Sequence, residues 1–279
     1  MLLSQDQTKV KKLFNSLNKN DEFEIMFNNY RPDNILSLNK FVDVTKYLKW
    51  RSDKDNIKMT NENSLDIIYM DASEKKNKQN STYRVSIDGN ENVNNFLRLV
   101  HLRSNHIIFS ILMTQFIKDK NYSFIKKIKD SSKIIDIDDY DIRFRVSSEN
   151  EIDNKKINEL ANLPVSQSDK IKFRYKNRIS LILIDNEKEK LSIDLTYAKM
   201  AYDIKNITNG IESFEVEIDY MNSNKLSDKT LSLILKEVQN IKKVIDGSQV
   251  ITQKNELEKV KRKYKDLVYG SNNNSFNNL

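Results

Sequence analysis

Charge in this chain is sorted strand by strand, and that sorting constrains the fold more than any other feature of the sequence. In EFEIMF, residues 22–27, Glu22, Glu24 and Met26 share one face of an extended chain, and Phe23, Ile25 and Phe27 share the other. In ESFEVEIDY, residues 212–220, Glu215, Glu217 and Asp219 oppose Phe214, Val216, Ile218 and Tyr220. Basic strands alternate in the same way. Arg174, Lys176 and Arg178 share a face in RYKNRISL, Arg143 and Arg145 follow Asp141 in DIRFRVS, and Arg84 and Ser86 share a face in TYRVSI. SIDLT places Ser192, Asp194 and Thr196 together against Ile193 and Leu195.

Half-buried antiparallel strands that turn any polar side chain toward water would also alternate. Here, however, the polar faces segregate by sign. Like charges two apart on a strand repel, a cost avoided when a counter-ion or ligand lies between them. Paired carboxylates suit a hard divalent cation, which prefers oxygen ligands. Basic faces opposite them suit a multiply charged phosphate chain. If the sheet closes with these faces inward, its lumen is a hydrated tunnel and its apolar face packs under helices.

Composition removes most other chemistry. With no cysteine there is no disulfide framework, thiol nucleophile or thiolate zinc site, and His101 and His106 are too few for a histidine-rich metal centre. Gly89, Gly210, Gly247 and Gly270 are too scattered for a dinucleotide fingerprint or a P-loop. A net charge of +7 favours polyanionic partners. The start, MLLSQDQTKVKK, has no apolar run of signal-peptide length, and Ile107–Ile117 is too short and too interrupted to span a bilayer. A soluble intracellular protein is expected, with no membrane partner.

Along the chain, Val10, Leu13, Phe14 and Leu17 mark an amphipathic helix over 5–18. Strands are predicted at 22–28, 41–47, 65–70, 82–88, 123–129, 141–148, 172–184, 190–197 and 212–221. Helices are predicted at 91–103 and 105–118, and at 228–245, N-capped by Ser227 and ending at Gly247. A further charged helix is expected over 252–268, with Leu257, Val260, Tyr264 and Leu267 inward, and a disordered tail at 269–279. Trp50 and Arg51 read as packing and a solvated charge near a strand end. The fold class is α+β: an antiparallel β-barrel with helices packed outside, in a single domain over 1–268.

EFEIMF, TYRVSI, KFRYKNRIS, SIDLT and FEVEID, in this order, resemble the triphosphate tunnel metalloenzymes, and within them the RNA triphosphatase domains of giant-virus mRNA capping enzymes. The resemblance spans roughly residues 10 to 268 and implies an eight-stranded tunnel. It implies that Glu22, Glu24, Glu215 and Glu217 bind Mg²⁺ or Mn²⁺, and that Lys176 and Arg178, with Arg174, Arg84 and Arg145, hold the triphosphate. Asp194, Thr196 and Asp219 would belong to the tunnel's polar network, and Glu149 would position the attacking water. The implied reaction removes the γ-phosphate from the 5′ end of nascent mRNA, in the cytoplasm, a viral factory or a virion. Implied partners are 5′-triphosphate RNA, NTPs, and the guanylyltransferase and methyltransferase parts of a capping enzyme.

Two departures stand out. Ser192 occupies a place where the family often has arginine, which Lys190 could replace, and Met26 stands where the cyclase and thiamine triphosphatase branch has lysine. Neither partner activity is visible here: Lys243-Val-Ile-Asp-Gly247 is one residue too long for a nucleotidyl transferase lysine motif, and no methyltransferase glycine loop exists. Two other functions fit the residues, an NTPase or tripolyphosphatase on the same fold and a noncatalytic RNA-binding subunit. Against the second, Tyr83, Phe144, Phe173 and Tyr175 alternate onto the face opposite the bases, where they are expected to be core.

Overall fold

The computed structural model describes residues 4–19, 21–28, 35–70, 79–100, 122–152, 154–162, 170–222 and 227–247. Helix α1 (Ser4–Phe14) precedes β1 (Asp21–Phe27) and α2 (Leu38–Asp55). Strands β2 (Met59–Tyr69) and β3 (Gln79–Asp88) lead to α3 (Asn90–Val100). After β4 (Tyr122–Ile137) and β5 (Ile142–Glu151) comes α4 (Asn154–Ala161). Strands β6 (Ile171–Asp185), β7 (Glu189–Ala201) and β8 (Ile211–Asn222) follow, and α5 (Asp228–Asp246) ends the described chain.

Eight antiparallel strands close into a barrel in the order β1-β5-β4-β3-β2-β6-β7-β8. Register explains why the charged faces meet. Glu24 of β1 lies opposite Arg145 of β5 on one side and Asp219 of β8 on the other. Asp219 in turn faces Ser192, and Glu215 faces Thr196, whose partner across β6 is Arg178. Directly opposed residues point to the same side of a sheet, so one inward glutamate carries the whole polar set inward.

The apolar set therefore faces out, and helices cover it. Phe23, Ile25, Phe144, Ile193, Leu195 and Ile218 are fully buried beneath Val10 and Phe14 of α1, Val44 and Leu48 of α2, and Ile234 and Ile241 of α5. A second cluster joins Leu65, Ile67, Val85, Ile87 and Phe173 to Val93, Phe96 and Val100 of α3 and Leu160 of α4. Each fully buried side chain of this size contributes about 1.5–3 kcal/mol. The hydrophobic stability of this barrel lies in its coat, and the lumen is left to ions.

Seven of the residue stretches predicted as strands become β1, β3 and β5–β8 and the first half of β4, and 65–70 is the end of a longer β2. The stretch 41–47 is not a strand: it lies in α2. FVDVTKY alternates locally, but Phe41, Val44 and Leu48 recur at helical spacing, with Val44 and Leu48 wholly buried and Val42 exposed. The Ser37 side chain caps the helix by accepting the Lys40 N–H, and Asn56 in left-handed conformation ends it. Trp50 and Arg51 therefore sit on a helix. Trp50 lies exposed under the Lys54 ammonium, whereas Arg51 is no solvated charge, being paired with the buried Glu237 of α5 and with Asp55 at 3.5 Å.

Helix α5 follows the expected course, with the Ser227 side chain accepting the Lys229 N–H and Gly247 closing the last turn at φ 65°. Tyr83, Phe144 and Phe173 are buried in the outer cores, as alternation predicts. The helices expected over 105–118 and 252–268, the tail 269–279, and His101 and His106 lie outside the described residues. Among the described residues no helix is long and apolar enough to cross a membrane.

Candidate active site

The lumen encloses a cavity of about 440 Å³. Its walls carry the carboxylates of Glu22, Glu24, Asp66, Glu149, Glu215, Glu217 and Asp219, facing the cations of Arg84, Lys127, Lys129, Arg145, Lys172, Arg174, Lys176 and Arg178. Nearly balanced charge keeps so polar an interior folded, since buried ions persist when paired.

At one wall Lys127 of β4 reaches Glu22 Oε2 at 2.6 Å, Glu24 Oε1 at 2.8 Å and Glu149 Oε1 at 3.2 Å. Arg145 closes on Glu24 Oε2 at 2.5 Å. Burial alone would raise the Glu24 pKa, but Lys127 and Arg145 overcome it and hold the carboxyl at about 2. Glu22 shifts the other way: burial and the neighbouring charges of Glu24 and Glu149 outweigh Lys127. Burial works against the Lys127 ammonium too, and Glu22, Glu24 and Glu149 keep it protonated.

Oxygens of Glu22, Glu24 and Asp219 lie within 4.8 Å of one another, an arrangement that could hold a metal ion. Asp219 Oδ1 is buried with no hydrogen-bond partner among the described residues, and burial together with Glu22 and Glu217 pushes its pKa well up. Glu217 rises to about 7 through burial and its neighbours Glu215 and Glu24. An all-oxygen cluster that gathers more negative charge than it can comfortably ionise fits a hard cation such as Mg²⁺ or Mn²⁺.

The four glutamates expected to bind metal thus divide. Glu22 and Glu24 join Asp219, which sequence reasoning placed in the general network, while Glu215 is taken up by Arg174 and by Ser213 Oγ at 3.0 Å. Glu217 lines the same cavity.

The cations have different degrees of engagement. Lys176 meets Asp66 Oδ2 at 2.8 Å, and Arg178 meets Asp194 Oδ2 at 3.0 Å and Thr196 Oγ1 at 3.2 Å. Arg84 donates to Glu149 Oε1 at 3.1 Å, yet its buried Nε–H has no partner among the described residues. Lys129 is lowered to about 8, by burial first and then by Arg145 and Lys127. An unpartnered guanidinium donor and a destabilised ammonium, both facing the lumen, suit an arriving anion. Of the residues expected from sequence, Asp194 and Thr196 do not line the cavity and reach it only through Arg178, whereas the others line it.

Asp66, Lys127, Lys129 and Lys172 were not foreseen. In SLDIIYM the inward set is Asp66, Ile68 and Met70, so a lone acid followed by apolar side chains hides its face. In SFIKKIKD both alternation phases mix Ile or Phe with Lys.

No protein-family model matches the chain, and no curated protein matches it. Solved structures do. The RNA triphosphatase domain of a trifunctional mimivirus mRNA capping enzyme aligns with TM-score 0.62 at 20% identity, over 88% of this chain and 97% of that one. A triclinic structure of the mimivirus capping enzyme triphosphatase aligns with TM-score 0.63 at 19% identity, over 88% and 98%. A monoclinic form gives 0.60 at 19% identity. The chain has the triphosphate tunnel fold, as its strand motifs lead one to expect.

Proposed function

We propose that the chain is a metal-dependent RNA 5′-triphosphatase that hydrolyses the β–γ anhydride of nascent mRNA and leaves a diphosphate end for capping. The observation that carries this reading is the cluster of Glu22, Glu24 and Asp219 inside a closed barrel whose other strands present Arg84, Lys129, Lys176 and Arg178 to the same cavity. A bound Mg²⁺ or Mn²⁺ would neutralise charge on the phosphoryl oxygens. Glu22, Glu24 and Asp219 would hold it, with Glu217 and Glu215 beside them.

The chain's own residues supply the rest. Arg84 Nε–H and the Lys129 ammonium are the donors with capacity to spare, and Lys176, Arg178 and Arg174 steady the chain of phosphates by exchanging carboxylate partners for phosphate oxygens. Arg145 stays on Glu24 and fixes its orientation. Glu149, tethered by Arg84 and Lys127, is assigned to orient the attacking water in line with the leaving diphosphate. Phosphoryl transfer depends on positioning and charge stabilisation more than on covalent catalysis, which suits a lumen with no cysteine or histidine among its lining residues.

The mimivirus structure with the same fold belongs to a trifunctional capping enzyme. On that analogy we place guanylyltransferase and methyltransferase activities as partners, in the cytoplasm or a viral factory. The test is phosphate release from 5′-triphosphate RNA with Mn²⁺. Glu24→Ala is expected to slow it about 10²–10³-fold, the cost of removing one electrostatic stabiliser. Equal rates in wild type and variant would overturn the site. ATP turned over in preference to RNA would make the enzyme a general NTPase.

A further inference from the structure

The cavity wall is not charged throughout. Among the described residues lining it, the apolar ones are Ile68, Met70 and Met200, and topology brings them to one end of the barrel. There β2 and β7 finish and β6 begins. Asp66 and Met200 both lie opposite Arg174, and Ile68 lies opposite Lys172. The strands place Lys172 about 13 Å from Lys176 along β6, at 3.3 Å per residue. Past the end of β7, Tyr202 is 55% exposed, and its ring lies 5.0 Å from the Lys172 ammonium. Met70, whose N–H donates to the Lys170 carbonyl just before β6, is 40% exposed at the same end of the barrel.

Inward apolar side chains add nothing to phosphate binding, and in a hydrated ionic lumen they forgo polar contacts. Grouped at one opening, with an exposed tyrosine held over a cation, they form a surface for a flat, polarisable body. Nucleobases stack on aromatic rings with little regard to sequence, and thioethers pack adaptably against ring faces and edges. Lys172 joins this surface to the charged interior, since it lines the cavity while its ammonium lies over the Tyr202 ring.

We propose that this opening is the entrance for the substrate and holds its 5′-terminal nucleoside. The base rests against Tyr202, Met70 and Met200, and the phosphate chain passes Lys172 toward Arg174 and Lys176. The proposal rests on the triphosphatase reading above and adds to it the polarity of the substrate in the tunnel and the recognition of a nucleoside.

The experiment compares inorganic tripolyphosphate, ATP and 5′-triphosphate RNA with Mn²⁺, in wild type, Tyr202→Ala, Tyr202→Phe and Met70→Ala. Loss of one base-stacking contact is expected to raise KM for ATP and RNA about tenfold in Tyr202→Ala. A smaller rise is expected in Met70→Ala and wild-type values in Tyr202→Phe, with KM for tripolyphosphate unchanged in all. An unchanged KM for ATP and RNA, or an equal rise for all three substrates, overturns the entrance and leaves the triphosphatase standing. If wild type turns over none of them, the triphosphatase reading fails, and calorimetric binding of ATP and tripolyphosphate decides the entrance: weakening of ATP alone by Tyr202→Ala supports it, and any other pattern removes it.

Discussion

Lys127 Nζ lies 2.8 Å from Glu24 Oε1 across 103 residues of sequence, and both groups are buried. The ammonium stands where the carboxylates converge, so it acts as a built-in counter-ion for the acidic wall. Lys127→Met is expected to leave Glu22 and Glu24 repelling each other, at a cost of about 3–5 kcal/mol for a broken buried pair. In a chain of this size that lowers Tm by roughly 6–20 °C. Mn²⁺ should restore more of the loss in the variant than it adds to wild type. Thermal melts with and without Mn²⁺ measure this, and equal metal-induced shifts would refute the counter-ion role.

Glu217 is expected to set a pH window for metal binding. Its pKa rises from an ordinary 4.5 to about 7 in the fold, so the folded protein holds a proton that the unfolded chain has lost. For this group stability is greatest below about 4.5 and declines as pH rises to 7. Above 7 the penalty is complete, about 3 kcal/mol for a shift of this size. Asp219 shifts in the same direction, raised by burial and by the charges of Glu22 and Glu217. Mn²⁺ binding favours loss of the Glu217 proton as well as that of Asp219, so affinity is expected to rise about tenfold or more per unit below pH 7. Glu217→Gln should make that profile shallower, by about one proton. Isothermal titration between pH 5.5 and 8.5 measures it, and a slope unchanged in the variant would assign the proton elsewhere.

Much of this was legible in sequence because the lumen and coat obey opposite rules on adjacent residues. Phe23 and Glu24 cannot exchange faces without breaking both the outer core and the ion network, so alternation reported each strand's orientation. Legibility failed where one face lost its chemical contrast. Asp66 was hidden because Ile68 and Met70 follow it on the same inward face, and Lys127 because both phases of β4 contain lysine. Residues 41–47 misled for a related reason: Val42 and Val44 imitate a strand, and only Leu48 and the Ser37 cap outside that window reveal the helix. Ion partners such as Lys127 and Glu24 depend on closure of the ring, which no local pattern encodes.

Lys129 should make phosphate binding pH-dependent from the alkaline side. Burial, with help from Arg145 and Lys127, lowers its pKa from 10.5 to about 8. The unfolded chain keeps its proton to higher pH, so the charged ammonium costs stability below 8, and that cost fades between 8 and 10.5. Binding runs the other way: an arriving phosphate favours the ammonium, so above pH 8 binding takes up a proton and weakens. KM for tripolyphosphate is expected to rise several-fold between pH 8 and 9. Lys129→Arg, which keeps its charge at any such pH, should remove most of that rise. Steady-state kinetics over this range measure it, and identical profiles would show that Lys129 does not meet phosphate.

Arg51 and Glu237 join α2 to α5 at a distance from the lumen. Glu237 has a side chain only 2% exposed, and Arg51 is 13% exposed. Arg51→Ala would strand a buried carboxylate and is expected to cost about 3–5 kcal/mol, whereas replacing both partners together, as Arg51→Met with Glu237→Met, should cost far less because apolar side chains fill the same space. The two helices cover the β1, β7 and β8 side of the coat, so loss of their contact should lower the urea midpoint without changing KM for tripolyphosphate in the folded protein. Urea unfolding of the single and double variants measures the difference. If the double variant falls as far as Arg51→Ala, the ion pair is a net stabiliser, and the cost does not come from an unpaired buried charge.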